Sequence, residues 1–209
     1  RYESSAASDV YKRQAEAQHN VGMLYYEGYG VKKNYREAVK WFKLATAQKL
    51  PDAQYMLALA YHQGQGVEIN YKFAKVWYLE SAKQGYANAQ FMYAFMLQAG
   101  DLGKPDPLKA LVWSEVARRN GREDSSDIGD LSKLQLTDEE IGKATQLAEL
   151  CLTSNYESCP TFWAKYVFPA WSNFISLFPK EILVLDDICI TSVTSVLEVK
   201  HEEFHKMKR

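Results

Sequence analysis

Residues 15–50 read AEAQHNVGMLYYEGYGVKKNYREAVKWFKLATAQKL, and residues 51–86 read PDAQYMLALAYHQGQGVEINYKFAKVWYLESAKQGY. Set one beneath the other, the strings agree where two helices and a turn would need them to agree. Ala17-Gln18 returns as Ala53-Gln54 and again as Ala89-Gln90, and Gly28-Tyr29-Gly30-Val31 returns as Gly64-Gln65-Gly66-Val67. Ala38 and Trp41 return as Ala74 and Trp77, then as Ala110 and Trp113; every offset is 36 residues. Three copies in register mark a repeat array, with units at 15–50, 51–86 and 87–121.

Each unit reads as two helices joined by a glycine turn. Ala17, Val21 and Tyr25 recur every fourth residue and lay an apolar stripe along a first helix. Gly22 sits beside that stripe, where the missing side chain lets a neighbouring helix approach. Gly28 follows the last periodic residue as a C-terminal glycine should. Asn34, Asn70 and Asp106 stand where the second helix needs an N-cap. That helix is expected to turn Ala38, Trp41 and Ala45 inward, the indole filling space left by small neighbours. One hairpin cannot bury such a stripe, whereas stacked neighbours can.

These residues resemble the Sel-1-like repeat, a relative of the tetratricopeptide repeat. The matching positions are Ala17, Val21-Gly22, Tyr25, Gly28 to Val31, Asn34, Ala38 and Trp41-Phe42. The second copy departs at Ala58, where Gly is usual. The third departs at Tyr93-Ala94, at Leu97, and at Gly100-Asp101-Leu102-Gly103; Lys49 stands where Gly85 and Gly121 keep an inter-repeat glycine. The third copy's drift fits a terminal repeat. The resemblance implies an all-α fold, an α-solenoid or right-handed superhelix of three 36-residue helical hairpins closed by a C-terminal capping helix.

Beyond the repeats, Arg122 to Leu136 is polar and reads as a loop. Thr137 and Glu140 then form a capping box ahead of Ile141, Ala144, Leu147, Ala148 and Leu150, so 137–152 reads as the capping helix within a segment 122–159. Cys151 and Cys159 flank its end. They are either a disulfide, which implies an oxidising compartment such as a bacterial periplasm, or two free thiols of a cytoplasmic protein. A Cys-flanked ending resembles exported members of the family, and Cys189 is unpaired either way.

Both ends of the chain read differently from its middle. Asp9-Val10-Tyr11-Lys12-Arg13-Gln14 matches the in-frame translation of a transposon-end sequencing adapter, so residues 1–14 are read as a sequencing artefact with the native N-terminus missing. Residues 160–209 hold no glycine and many aromatics, among them Phe162, Trp163, Tyr166, Phe168 and Trp171. They are either an extension packing on the solenoid or mis-assembled sequence.

Composition narrows the function. The formal net charge of −1, from 25 basic and 26 acidic side chains, creates no field for holding a phosphate backbone, which speaks against a nucleic-acid partner. No stretch approaches the roughly 18 uncharged apolar residues of a membrane span; the most apolar segment, 174–190, carries Lys180, Glu181, Asp186 and Asp187. His201-Glu202-Glu203-Phe204-His205 formally satisfies a zinc-protease pattern, but its Lys200, Lys206, Lys208 and Arg209 flanks read as a solvated charged end. The glycine turns each follow a helix and lack the Lys-Ser/Thr of a phosphate loop. No catalytic group, metal ligand or cofactor is assigned.

Binding is the better reading. In tetratricopeptide-like stacking the first helices line the concave face, and a partner would meet His19, Met23 and Tyr26, then Tyr55, Leu59 and His62, then Phe91, Phe95 and Gln98. An apolar strip with amphipathic rims suits a docked helix or extended peptide. The resemblance thus implies a protein–protein interaction scaffold or adaptor of a bacterial pathway. One alternative is an exported cell-envelope hydrolase of the cysteine-rich repeat type; those relatives carry a Cys pair in each repeat, and these three repeats contain none. Another is a structural repeat fragment of a longer protein.

Overall fold

The computed structural model describes residues 2–160 apart from position 102, with side chains from residue 9 onward. The capping asparagines show why the hairpins form where they do. Asn34 Oδ1 accepts from the backbone N–H groups of Arg36 and Glu37, Asn70 Oδ1 from Phe73, and Asp106 Oδ1 from Lys109. The backbone N–H of each cap residue in turn donates to the helix before it, at Tyr25 O (2.8 Å), Tyr61 O (2.9 Å) and Leu97 O (2.9 Å). One 36-residue rhythm therefore fixes both the start of each second helix and the angle at which the chain folds back.

The first helices are α1 (Tyr2–Glu27), α3 (Pro51–Gln63) and α5 (Ala87–Ala99); the second helices are α2 (Tyr35–Thr46), α4 (Tyr71–Ala82) and α6 (Pro107–Arg119). The described residues are all helix and turn. Gly64 and Gly100 end α3 and α5 in the left-handed conformation, at φ 72° and 74°. Gly66, at φ 77°, is required twice over, since a Cβ there would run into the Tyr35 carbonyl of the preceding repeat. Lys49 takes the same left-handed backbone, φ 60°, without a glycine's freedom.

Small residues set the helix spacing. Ala38, Ala45, Ala53, Ala74, Ala82, Ala89, Ala110 and Ala117 are all fully buried. A Cβ on Gly22 would lie 2.6 Å from the Phe42 ring, so the missing side chain is what admits that ring. Two expectations need correcting here. Ala17 is exposed, because no described helix packs against it, while Ala53 and Ala89 are buried. Trp41 and Trp77 are only half-buried; the fully buried aromatic is the next residue, Phe42 or Tyr78. The inward stripe of each second helix runs through positions 38, 42 and 45, and the tryptophan flanks it.

The third repeat reverses that arrangement. Trp113 is fully buried, and Ser114 takes the place of Phe42 and Tyr78. A small residue there makes room for a further helix. The segment read as a loop contains a 3₁₀ turn, Glu123–Ser125, and α7, Ser126–Lys133. Ser125 Oγ donates to Ser114 O (2.8 Å), and a Cβ on Gly129 would approach Ser114 Oγ to 3.1 Å. The loop reading failed because Ser125, Ile128, Gly129 and Ser132 make a poor helical stripe in isolation. Their burial against α6 supplies what propensity does not.

The capping helix α8 spans Asp138–Thr153, and its N-terminus shows the reciprocal Thr137–Glu140 capping box. Arg119 ties it to α6 by pairing with both Glu115 and Glu149. Hydrogen bonding from Arg118 first, then from Arg119, outweighs burial and holds the Glu115 carboxyl down at about 2. Past α8 the chain turns back through Asn155 and Tyr156, both with left-handed φ, and Cys151 is disulfide-bonded to Cys159 with Cα atoms 4.4 Å apart. That turn delivers the Pro160 carbonyl to the Trp113 indole N–H, which donates to it at 3.0 Å in the buried interior.

Candidate functional site

The nine side chains assigned to a partner face occupy three registers of the first helices: 19, 55 and 91; 23, 59 and 95; 26, 62 and 98. Residues three and four apart share a helix face, so each helix presents its trio together. In α1 the His19 ring packs 5.7 Å from Phe42, and Tyr26 stands edge-on to Tyr35 at 5.2 Å. Burial lowers the His19 pKa, opposed by nearby Asp52. In α3 Tyr55 lies between Tyr78 and Tyr86, at 5.8 and 5.3 Å, and its phenol is pushed up by burial. His62 sits against Tyr71 and Tyr78, with Nε2 3.8 Å from an Asp101 carboxylate oxygen. Met23 and Leu59 are half-buried beside the first-repeat core.

In α5 the Phe91 ring carries the Arg122 guanidinium 4.8 Å from its centre, and Arg122 also donates to Asn88 Oδ1 at 2.9 Å. Gln98 Oε1 accepts from Ser132 Oγ at 2.8 Å. Phe95 is the most open of the nine, at 43% exposed. The rest divide their surface between neighbouring helices and solvent, with one edge engaged and the other presented. Such half-anchored aromatics lose little conformational freedom when a partner covers them. Among the described residues no three His, Cys, Asp or Glu side chains gather as a metal site requires. Likewise no described helix is long and apolar enough to cross a membrane. His201, Glu202 and His205, and the aromatic segment from residue 161 onward, lie outside the described residues.

One functional arrangement escaped the reading of the sequence. Gln48 Nε2 donates to Gln18 Oε1 (2.8 Å), Gln84 Nε2 to Gln54 Oε1 (2.7 Å), and Asn120 Nδ2 to Gln90 Oε1 (2.8 Å). Each bond clamps a first helix to the turn that ends the same repeat, at the first turn of α3 and α5 and midway along α1, and so holds the angle between the two helices of the unit. The signal was present, for Gln18, Gln54 and Gln90 share one register and Gln48, Gln84 and Asn120 share another. Pairing the two registers needed the fold.

Paired helices, periodic glycine turns and a stacked small-residue core define a helical-hairpin α-solenoid. The Sel1 repeat model matches residues 15–50, 51–86 and 87–121, just over half of the chain. The chain belongs to the Sel1-repeat family. It is similar to a Sel1 repeat protein from Oxalobacter formigenes, at 33% identity and TM-score 0.53, over 55% of this chain and 48% of that one. It also shares its fold with a protective antigen of uropathogenic Escherichia coli strains that displays an SLR fold. There the identity is 24% and the TM-score 0.63, over 79% of this chain and 33% of that one. The chain thus spans about half the length of the first and a third of the second. No curated protein matches it. Sel1-repeat proteins commonly bind other proteins as scaffolds and are typically non-enzymatic.

Proposed function

We propose that this chain is a scaffold or adaptor that holds a protein partner against the concave face of its first helices. The observation that carries the reading is the register itself. Three successive first helices each offer a trio at the same positions, mostly aromatic or aliphatic, braced on one side and open on the other. A helix or extended peptide laid across them would cover a continuous apolar line, with Tyr55, Phe91 and Phe95 as its anchors. The Cys151–Cys159 disulfide supports an oxidising compartment for the encounter.

Capture of proteins from a bacterial extract by the full chain tests this, with two double variants alongside. Leu59→Ser/Phe95→Ser alters the first-helix face, and Leu44→Ser/Phe73→Ser alters exposed positions of the second helices, 49% and 52% exposed. A partner held by the wild type and the second variant, and released by the first with its helical content intact, is the expected result. A partner that both variants retain, or both lose, would place binding elsewhere.

A further inference from the structure

Helix α7 adds a fourth rung to the face that the three repeats begin. Counting 36 residues onward, Met23, Leu59 and Phe95 lead to Leu131, and Tyr26, His62 and Gln98 lead to Leu134. Asp127 follows His19, Tyr55 and Phe91 by the same step. The bond from Ser132 to Gln98 ties α7 to α5. Ile128, Gly129 and Ser132 face inward, which leaves Asp127, Asp130, Leu131 and Leu134 exposed along one stripe at i, i+3, i+4 and i+7. Exposure grows along the line, from 43% at Phe95 to 51% at Leu131 and 83% at Leu134. Among the described residues nothing covers these two leucines, and together with Phe95 they present apolar surface that continues the registers of the first helices.

Charge says what would cover it. Residues 122–134 hold four carboxylates, Glu123, Asp124, Asp127 and Asp130, against two cations, Arg122 and Lys133, a net of −2. Both cations are engaged, Arg122 with Asp124 and Lys133 with Asp130. Asp127 has no ion-pair partner among the described residues.

We propose that the stripe formed by Phe95, Leu131 and Leu134, rimmed by Asp127 and Asp130, docks a cationic amphipathic helix of the partner. Its aliphatic residues would cover the leucines, and its Lys or Arg side chains would pair with Asp127 and share the exposed Asp130 with Lys133. The inference rests on the partner-binding reading of the first-helix face and gives that face its polarity: the acidic, leucine-bearing end takes the basic part of the partner. Opposite charge at the rim steers the encounter and sets orientation, while the apolar anchors hold it.

The test uses the full chain and two synthetic helical peptides. Both carry leucines at i, i+3, i+4 and i+7; one has lysines on the flanking positions and its twin has glutamates. The lysine peptide is expected to bind at least about tenfold more tightly than its twin at low salt, with the preference shrinking as salt rises. Asp127→Lys/Asp130→Lys reverses that preference, and Leu131→Ser/Leu134→Ser weakens the lysine peptide about tenfold; all four positions are exposed, so thermal unfolding serves as the control for folding. Equal binding of the two peptides, or no binding of either, overturns the inference. So does self-association of the chain that the leucine substitutions abolish, since the stripe would then belong to a second copy. If binding survives the α7 variants but is lost in Leu59→Ser/Phe95→Ser, the concave-face reading stands and the α7 inference alone falls.

Discussion

Trp77 and Trp113 occupy the same register of successive repeats, yet one is half-buried and the other sealed. Around Trp77 the neighbouring aromatic, Tyr78, takes the fully buried place, and the indole lies along the edge shared by two core clusters. Around Trp113 the neighbour is Ser114, α7 packs into the space, and the disulfide-bonded turn brings the Pro160 carbonyl to the indole nitrogen. The difference lies outside the repeat. A position in a solenoid inherits its environment from what stacks next, so the terminal unit must be completed by sequence of another kind.

The largest expected effect follows from that contrast. Trp113→Ala should cost about 3–5 kcal/mol as a fully buried large-to-small change, and Trp77→Ala roughly half as much. Equal losses in denaturant unfolding would mean that the C-terminal turn does not seal the third repeat. Next in size is the staple itself. Reduction, or a Cys151→Ser/Cys159→Ser double variant, opens a short covalent loop and should cost about 2–3 kcal/mol. Combining it with Trp113→Ala should give less than the sum, because both act on one contact; full additivity in a double-mutant cycle would separate the disulfide from the indole. The smallest effect sharpens the same comparison along the amide clamps. Gln90 is fully buried and also donates to Ala82 O at 3.0 Å, whereas Gln18 is half-exposed. Gln90→Ala should cost about 1–3 kcal/mol and Gln18→Ala less than about 1 kcal/mol. A reversed order in thermal melts would show that burial does not grade the clamps.

Much of the fold was legible because it is written in local chemistry. Asn34, Asn70 and Asp106 cap, Gly28, Gly64 and Gly100 terminate, and Thr137 with Glu140 boxes the last helix, each using only residues within a turn or two. The register of the proposed partner face was legible, since identical steps along a repeat place identical positions side by side. What escaped depends on contact between distant segments. Helix α7 has a weak stripe and exists through α6; the inward aromatic proved to be Phe42 or Tyr78, one residue past the repeating tryptophan. The clamps join residues 30 apart whose pairing no spacing announces.

The sequence by itself determined the solenoid: period, capping residues and turn glycines are local requirements, and three copies in register leave one architecture able to bury them all. Only the tertiary structure decided which member of each aromatic pair goes inside, and that Trp113 is closed by a turn 47 residues further on. It alone showed that the polar segment after the repeats is a helix carrying Leu131 and Leu134 outward. Burial is a property of what lies across the gap, and a repeat unit contains no record of its neighbour's surface.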